Sequence, residues 1–229
     1  MRHMERHSGL EDHMNNIWFP RIKEVGAFWT HSGIASHPHI WTTLKNHSNE
    51  YFNGYVFGQN SPLLDEACKS LASFLVLRFP EILDVDRIIG PAMGAICIAD
   101  GVARHLSNIR QKPCLSGFVE KEENNGKRRM VFKRMNIYHG ETVLIVDNTI
   151  NMGSSVHLTA EAVKEAGGRV LPVFGAIMNR SAVSIKTRIV SLAHIPATQW
   201  KPNKCPLCAK NSEVIEPQLP RNWKRLQGL

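Results

Sequence analysis

Residues 141–156 (ETVLIVDNTINMGSSV) place a carboxylate and several hydroxyl and amide groups directly after an apolar run. The carboxylate is Asp147, and the run before it has the β-branched content of a strand buried on both faces. The hydroxyl and amide side chains are those of Thr149, Asn151, Ser154 and Ser155. A strand, a polar loop and a helix in this order aim backbone N–H groups at an anion. The segment therefore predicts a phosphate site, with Asp147 facing a sugar hydroxyl or a phosphate-bound metal ion.

A second turn of small residues follows a short apolar strand predicted at residues 86–90. The turn consists of Pro91, Ala92, Met93, Gly94 and Ala95. Small residues let the main chain approach an anion closely, so this turn is a second candidate for binding phosphate groups. For both segments the alternative is an ordinary turn of a parallel sheet with no ligand.

Alternating strands and helices would position these two turns. Apolar runs predict five strands, at residues 86–90, 113–121, 142–146, 169–178 and 187–192. Helical patterns lie at residues 61–79, with Ser61 as the expected cap, at 95–106 and at 157–166, with Ser154 or Ser155 as the expected cap. The prediction is an α/β fold with a mostly parallel central sheet and helices on both faces. Active chemistry should then lie at the carboxyl ends of the strands.

Between two of the predicted strands, residues 120–138 are strongly charged. The cations include Lys121, Lys127 and Arg128, and the whole chain carries a net charge of +8. Such a run is typical of a solvated loop or of a nucleic-acid contact. Because long loops inside a compact domain tend to be functional, a flexible functional loop is the third interpretation.

The order of these features resembles the type I phosphoribosyltransferases. The resemblance implies that residues 149–155 hold the ribose 5-phosphate of phosphoribosyl pyrophosphate (PRPP), and that the turn at residues 91–95 meets its pyrophosphate. The ribose-phosphate residues would be Thr149, Ile150, Asn151, Met152, Gly153, Ser154 and Ser155. It further implies that Lys127 and Arg128 help to bind pyrophosphate and that Mg²⁺ accompanies PRPP, with Asp147 as an indirect ligand.

The catalytic positions that the resemblance implies are Asp147, Asn148 and Lys121. One of them departs from the family pattern, because Asn148 replaces a second carboxylate. A second departure lies beside Lys121, where Glu120 replaces a cation. Asn148 can hydrogen-bond to a hydroxyl but carries no charge. The expected function is a phosphoribosyltransferase acting on an orotate-like pyrimidine. The alternatives are a catalytically weakened PRPP- or nucleotide-binding regulator, and a scaffold without activity.

Residues 30–55 are rich in histidine, serine and aromatic residues, which is also typical of a surface loop. In the orotate phosphoribosyltransferases a similar segment forms a hood over the base, which implies a base site at His47, Ser48 and Tyr51. Orotate is an anion, yet no arginine lies between Arg21 and Arg78, so Lys45 and His47 are the candidate cations.

The tail carries one Cys-x-x-Cys pair, Cys205 and Cys208. A structural zinc ion needs four ligands, and His194 is the nearest histidine in the sequence. The expectation is a tight turn with reduced thiols; a zinc ion shared across a dimer and a redox pair are the alternatives. The tail also resembles a subgroup of orotate phosphoribosyltransferase-like proteins that end in Cys-Pro-Leu-Cys followed by Asn-Trp, here Asn222 and Trp223.

Four segments are predicted: a flexible leader at residues 1–14, an N-terminal helix and hood at 15–60, the α/β core at 61–199 and an irregular tail at 200–229. The helix is expected to start at Asn15 and to be interrupted at Pro20. No apolar stretch predicts a signal peptide or a membrane span, so a cytoplasmic protein is expected. A homodimer is expected from the family, and a nucleic-acid partner is not.

Overall fold

The computed structural model describes residues 2–124, 126–182 and 185–228 of the 229. Its centre is a six-stranded sheet in the order β10-β9-β8-β5-β6-β7. The strands are β5 (Arg87–Pro91), β6 (Leu115–Asn124), β7 (Lys127–Val131), β8 (Thr142–Ile150), β9 (Arg169–Asn179) and β10 (Arg188–His194). All neighbours pair in parallel except β6 and β7, which are antiparallel. The predicted mostly parallel sheet is confirmed.

Helices cover both faces of this sheet because its buried strands are apolar on both sides. On one face α1 (Arg2–Glu24), α3 (Ser61–Arg78) and α4 (Ile96–Arg110) pack over side chains such as Ile88 and Leu144. On the other face α5 (Ser154–Glu165) packs over Ile89 and Val143. Successive strand residues point to opposite faces, which is why adjacent isoleucines belong to different cores. The predicted layers are therefore confirmed.

The predicted helix caps were wrong at two positions. Asn60, not Ser61, precedes α3, and its side-chain oxygen accepts a hydrogen bond from Leu63 N at 3.2 Å. Gly153, not a serine, precedes α5, with φ at +76° and without a side-chain cap. A side chain at this left-handed position would be strained, so the loop entering α5 depends on glycine.

The N-terminal prediction was wrong, because α1 begins at Arg2 and continues through Pro20. Leu10 and Met14 pack against the core. The Asn15 side-chain oxygen accepts a hydrogen bond from His194 N at 3.0 Å. The predicted flexible leader is therefore part of a helix that packs on the core. Met1 lies outside the described residues.

The basic run was predicted as a flexible loop, and that prediction was also wrong for its first half. Residues 120–124 of β6 and 127–131 of β7 pair in antiparallel fashion, with Glu122 opposite Arg129 and Glu123 opposite Arg128. Opposite charges across a strand pair stabilise it. This pairing was not evident from the sequence, because the paired glutamates and arginines are not neighbours along the chain.

The hood and the tail form one body. The strands β1 (Phe28–Thr30) and β4 (Glu50–Phe52) pair, while β2 (His39–Trp41), β3 (His47–Ser48) and β11 (Val214–Ile215) form a second small sheet. The short helix α2 (Gly54–Gly58) leads from the hood to the core, and α6 (Pro220–Leu226) closes the tail. A small apolar cluster joins hood and tail: Trp29, Ile40, Ile215, Trp223 and Leu226. The tail was predicted as irregular and is instead folded onto the hood.

None of the helices in the described part of the chain combines the length and the apolar character that a bilayer crossing needs.

Candidate functional site

A cleft of about 510 Å³ opens at the carboxyl ends of β5 and β8. One wall is the turn at residues 91–94, the floor is formed by residues 147–156, and the hood and tail supply the opposite wall. All seven residues predicted to hold the ribose phosphate line it: Thr149, Ile150, Asn151, Met152, Gly153, Ser154 and Ser155. The two predicted phosphate segments therefore share one cavity, as expected for adjacent parallel strands.

Asp147 lies at the base of this cleft and is 7% exposed. Its Oδ1 accepts a hydrogen bond from Asn148 N at 2.7 Å. Burial raises the pKa of Asp147 to about 7, and hydrogen bonds from the backbone of Asn148 and Thr149 oppose that rise. The carboxyl group is therefore close to half ionised at neutral pH in the ligand-free protein, which is unusual for an aspartate.

Asn148 fills a narrow space between the hood and the turn. A Cβ atom placed on Gly54 would lie 2.3 Å from Asn148 Nδ2, and one placed on Gly94 would lie 2.6 Å from the same atom. Both glycines are thus needed for the amide to fit where it does. Asn148 therefore lines the cleft next to Asp147, between Gly54 and Gly94.

The turn after β5 presents its backbone to the cleft. Pro91, Ala92, Met93 and Gly94 line the cavity, and the peptide bond between Ala92 and Met93 is cis. Ala95, the fifth predicted residue, is fully buried and does not line the cavity. Its role is to pack under Gly90, where an added Cβ atom would lie 2.8 Å from that of Ala95.

The predicted cations separate into two groups. Lys121 lines the cleft at the base of the β6–β7 hairpin. Lys127 and Arg128 lie at its tip and are not among the cleft-lining residues. Lys127 pairs with Asn124, which is three positions after Lys121 along β6, so the tip lies about 10 Å further along the hairpin. Of these three predicted cations, Lys121 therefore lies at the cleft, and Lys127 and Arg128 do not.

The three residues predicted for the hood separate in the structure. Ser48 and Tyr51 line the cleft, whereas His47 is buried and is not among the cleft-lining residues. Its Nδ1 lies 3.0 Å from His39 Nε2 and 3.2 Å from Cys208 Sγ. Burial lowers the pKa of His39 to about 4 and also lowers the pKa of His47, which favours the neutral form of both imidazoles.

The histidine pair that the structure places beside Cys205 and Cys208 was not anticipated from the sequence of the tail. Ligand atoms of both cysteines, His39 and His47 lie within 4.8 Å of one another. His194, the histidine nearest in sequence, is exposed and its Nε2 lies 3.3 Å from Ser181 O instead. A sequence signal existed, since His39 and His47 are eight residues apart in a predicted irregular segment, but it could not show which elements meet.

Sequence reasoning missed Arg180, which directly follows β9 and lines the cleft. The residue is 4% exposed, and its guanidinium donates from Nη2 to Glu50 Oε2 at 3.1 Å. Nη1 is buried and has no hydrogen-bond partner among the described residues. The hood sequence has no arginine, and this arginine reaches the cleft from the end of the sheet strand β9. A single cation after an apolar strand was the only local signal.

Comparisons with known proteins agree with this geometry. The phosphoribosyl transferase domain family matches residues 59–187. The orotate phosphoribosyltransferase of Desulforamulus reducens is 32% identical over 197 residues, covering 85% of this chain and 95% of the relative. That of Pelotomaculum thermopropionicum is 30% identical over 197 residues, with the same two coverages. The crystal structure of orotate phosphoribosyltransferase from Aeropyrum pernix superposes with a TM-score of 0.57 at 18% identity, covering 76% of this chain and 92% of that one.

Proposed function

Because this chain belongs to the phosphoribosyltransferase family, we propose that it transfers the phosphoribosyl group of PRPP to orotate and releases pyrophosphate. The observation that carries the proposal is the shared cleft. Two backbone turns at the ends of neighbouring parallel strands, residues 91–94 and 149–155, line one cavity with Asp147 between them. Two separated anion sites flanking a carboxylate fit a sugar that carries phosphate at one end and pyrophosphate at the other.

In this reaction a ring nitrogen of the base forms a bond to C1 of the ribose as the bond from C1 to the pyrophosphate oxygen breaks. The proton of that nitrogen is released to solvent, and the pyrophosphate leaves with the bonding electron pair. Positive charge develops on the ribose. Asp147 faces this charge from the floor of the cleft, and its carboxylate also accepts hydrogen bonds from ribose hydroxyls.

The residues in the cleft fit a magnesium ion bound mainly through substrate oxygens. Mg²⁺ is commonly held by one or two carboxylates together with substrate phosphates and water, and Asp147 supplies one such carboxylate. The ion would neutralise charge on the departing pyrophosphate. Lys121 and the backbone of residues 91–94 act on the same group, since they line the wall where it would lie.

The base would lie between the hood and Arg180. Orotate carries a carboxylate, and the buried Nη1 of Arg180 offers a donor with no partner among the described residues. A buried unpaired donor costs about 1–3 kcal/mol, which a bound anion would recover. Glu50 neutralises the other side of the guanidinium, so one carboxylate from a ligand completes its set of contacts. Ser48 and Tyr51 supply further polar groups on the hood side.

The test is release of pyrophosphate from PRPP and Mg²⁺ with orotate, uracil, cytosine and adenine as acceptors. Orotate should be consumed and the uncharged bases should not. Arg180→Met should raise KM for orotate by about 10- to 150-fold, because a hydrogen bond to a charged group contributes about 1.5–3 kcal/mol. KM for PRPP should change little.

The matched control is Glu50→Gln, which removes the same ion pair but keeps the guanidinium. It should retain the preference for orotate over uracil. No turnover of any base, combined with no thermal shift on adding PRPP and Mg²⁺, would contradict the proposed function. Equal use of orotate and uracil by the unaltered chain would contradict only the role of Arg180, and not the proposed transfer of the phosphoribosyl group.

One observation favours a second candidate, a weakly active PRPP-binding regulator. Asn148 lines the cleft next to Asp147, where a second carboxylate would carry charge. Loss of one preorganised electrostatic group typically lowers turnover by about 10²- to 10³-fold. A thermal shift with PRPP and Mg²⁺ but without detectable pyrophosphate release would favour this candidate over the enzyme.

We also propose that the chain acts as a homodimer in which the hairpin tip approaches the neighbouring cleft. Lys127 and Arg128 are exposed and distant from their own cleft, so they could contact pyrophosphate only across such an interface. Light scattering of the purified chain tests the dimer. A monomer at concentrations that support full activity would contradict it.

A further inference from the structure

Four side chains from distant parts of the sequence meet behind the hood. They are His39, His47, Cys205 and Cys208, and their candidate ligand atoms all lie within 4.8 Å of one another. Three of the four residues are buried and Cys208 is half-buried. Two imidazoles and two thiols at these distances form the ligand set of a structural zinc site.

We propose that this cluster binds one zinc ion through His39 Nε2, His47 Nδ1 and the two cysteine thiolates. The four ligands leave no open position, so the ion is structural. The site lies outside the substrate cleft and belongs to a single chain, in contrast to a zinc ion shared across a dimer.

Four of the six distances between the ligand atoms are close to those of a tetrahedron around zinc, and all six are within 4.8 Å. His39 Nε2 lies 3.0 Å from His47 Nδ1 and 3.5 Å from each cysteine Sγ, and His47 Nδ1 lies 3.2 Å from Cys208 Sγ. Ordinary zinc–nitrogen and zinc–sulfur bond lengths place tetrahedral ligands about 3.3–3.8 Å apart. The observed contacts lie within about 0.4 Å of that geometry.

The hydrogen bonds of His39 fix which of its nitrogens faces the cluster. The Ser212 hydroxyl donates its only proton to His37 O at 2.7 Å. It must therefore accept in its 2.9 Å contact with His39 Nδ1, so Nδ1 carries the ring proton. The lone pair of neutral His39 is then on Nε2, which points at the two sulfurs and His47. An outer hydrogen bond of this kind is the usual way in which a zinc-bound histidine is oriented.

Backbone pairing holds the ligand-bearing segments in place. His39 N donates to Glu213 O at 2.8 Å, which ties β2 to the tail near β11. His47 and Trp200 exchange two backbone hydrogen bonds of 2.8 and 2.9 Å. The cysteine turn thus lies between two points where the tail is already attached to the hood. A metal ion here would link the hood and the tail at a place where backbone hydrogen bonds already hold them together.

The site also supports the substrate cleft. His39 and His47 lie at the two ends of a hairpin whose residues 40–45 line the cleft. The ring of His47 packs edge-on against Trp41 with centroids 4.4 Å apart, and Trp41 lines the cleft. From the tail, residues 216–218 line the same wall. Zinc would therefore fix the hood and the tail relative to each other on the side where the base is proposed to bind.

The first experiment measures metal content of the full chain, purified without an added histidine tag or chelator. It should contain about one zinc per chain. Cys205→Ser, Cys208→Ser and His39→Asn should each lower that content at least about tenfold, because a three-ligand remnant binds zinc poorly. Cys97→Ser is the matched control, since Cys97 is exposed and remote from the cluster, and it should keep its zinc.

A second readout remains decisive if the ligand variants fail to fold. Replacement of zinc by Co²⁺ in the unaltered chain should give the intense visible bands of a tetrahedral site and a thiolate-to-cobalt charge-transfer band. A weak octahedral spectrum would overturn the proposal. So would a folded chain that takes up no zinc on dialysis, a Cys205–Cys208 disulfide in the purified protein, or zinc that persists in Cys205→Ser.

The consequence for activity rests on the proposed function. Cys208→Ser should raise KM for orotate more than KM for PRPP, because the hood and tail contact the base side of the cleft. If the chain binds zinc but transfers no phosphoribosyl group, the metal site stands and the proposed function fails. If it is active and contains no zinc, the reverse holds.

Discussion

Ionisation of Asp147 should control the pH dependence of this enzyme. Its carboxyl group is buried at the floor of the cleft, and burial raises its pKa to about 7. The ionised form is the one that can face a cationic ribose. Below the pKa the ionised fraction falls about tenfold per pH unit. We therefore expect kcat/KM for PRPP to be about tenfold lower at pH 6 than at pH 8 from this group alone.

The substitution Asp147→Asn separates this effect from titration of the substrate. PRPP has phosphate groups that titrate in the same range, but they act equally on both proteins. At pH 8 the variant should be about 10²- to 10³-fold less active, because it lacks one preorganised charge. The ratio of the two activities should shrink toward pH 6. A ratio that stays constant from pH 6 to pH 8 would refute the assignment of Asp147.

The same pKa shift predicts a change in stability. The folded-state pKa is higher than the ordinary value of 3.8, so the folded ligand-free protein holds this proton where the unfolded chain has lost it. The contribution of the protonated Asp147 carboxyl group to the free energy of unfolding is present at low pH and is lost as the pH rises from about 4 to about 7. Each pKa unit corresponds to about 1.4 kcal/mol, so the loss reaches about 4 kcal/mol. Asp147→Asn should remove this dependence, which denaturant titrations of both proteins at several pH values would show.

Three further predictions concern the walls of the cleft. Asn148→Asp should raise turnover at least about tenfold by restoring a charge beside the ribose, and unchanged turnover in a pyrophosphate-release assay would count against that position. Gly94→Ala should weaken PRPP binding while shifting Tm little, because its Cβ atom would meet only the movable end of Asn148, 2.6 Å away; calorimetry showing unchanged affinity would exclude this turn from the pyrophosphate site. Lys121→Ala should lower kcat/KM by about 10²-fold when steady-state kinetics are measured at low enzyme concentration. Lys127→Ala, the control at the hairpin tip, should have a smaller effect under the same conditions, and equal effects would contradict the separation of the two cations.

The sequence by itself determined the order of strands and helices and the two turns that meet at the cleft. Continuous β-branched runs such as residues 142–146 have one stable use, a strand buried on both faces, and such strands pair in parallel when helices connect them. Once the sheet is parallel, its strand ends converge, so the positions of Gly94 and Asp147 in one cavity follow from topology. Local signals were sufficient because backbone geometry, not side-chain contact, sets these features.

Only the tertiary structure decided which distant side chains meet. Arg180 gained a place in the cleft through an ion pair with Glu50, 130 residues away. The charged hairpin became a strand pair because glutamates and arginines lie opposite each other across it.

The four-residue cluster joins His39 and His47 to a cysteine turn more than 150 residues later. Local propensity reflects only interactions within a few residues, whereas burial and ligand sets depend on how separate elements pack. For that reason the sequence could indicate that Asp147 is chemically important, but only packing could raise its pKa.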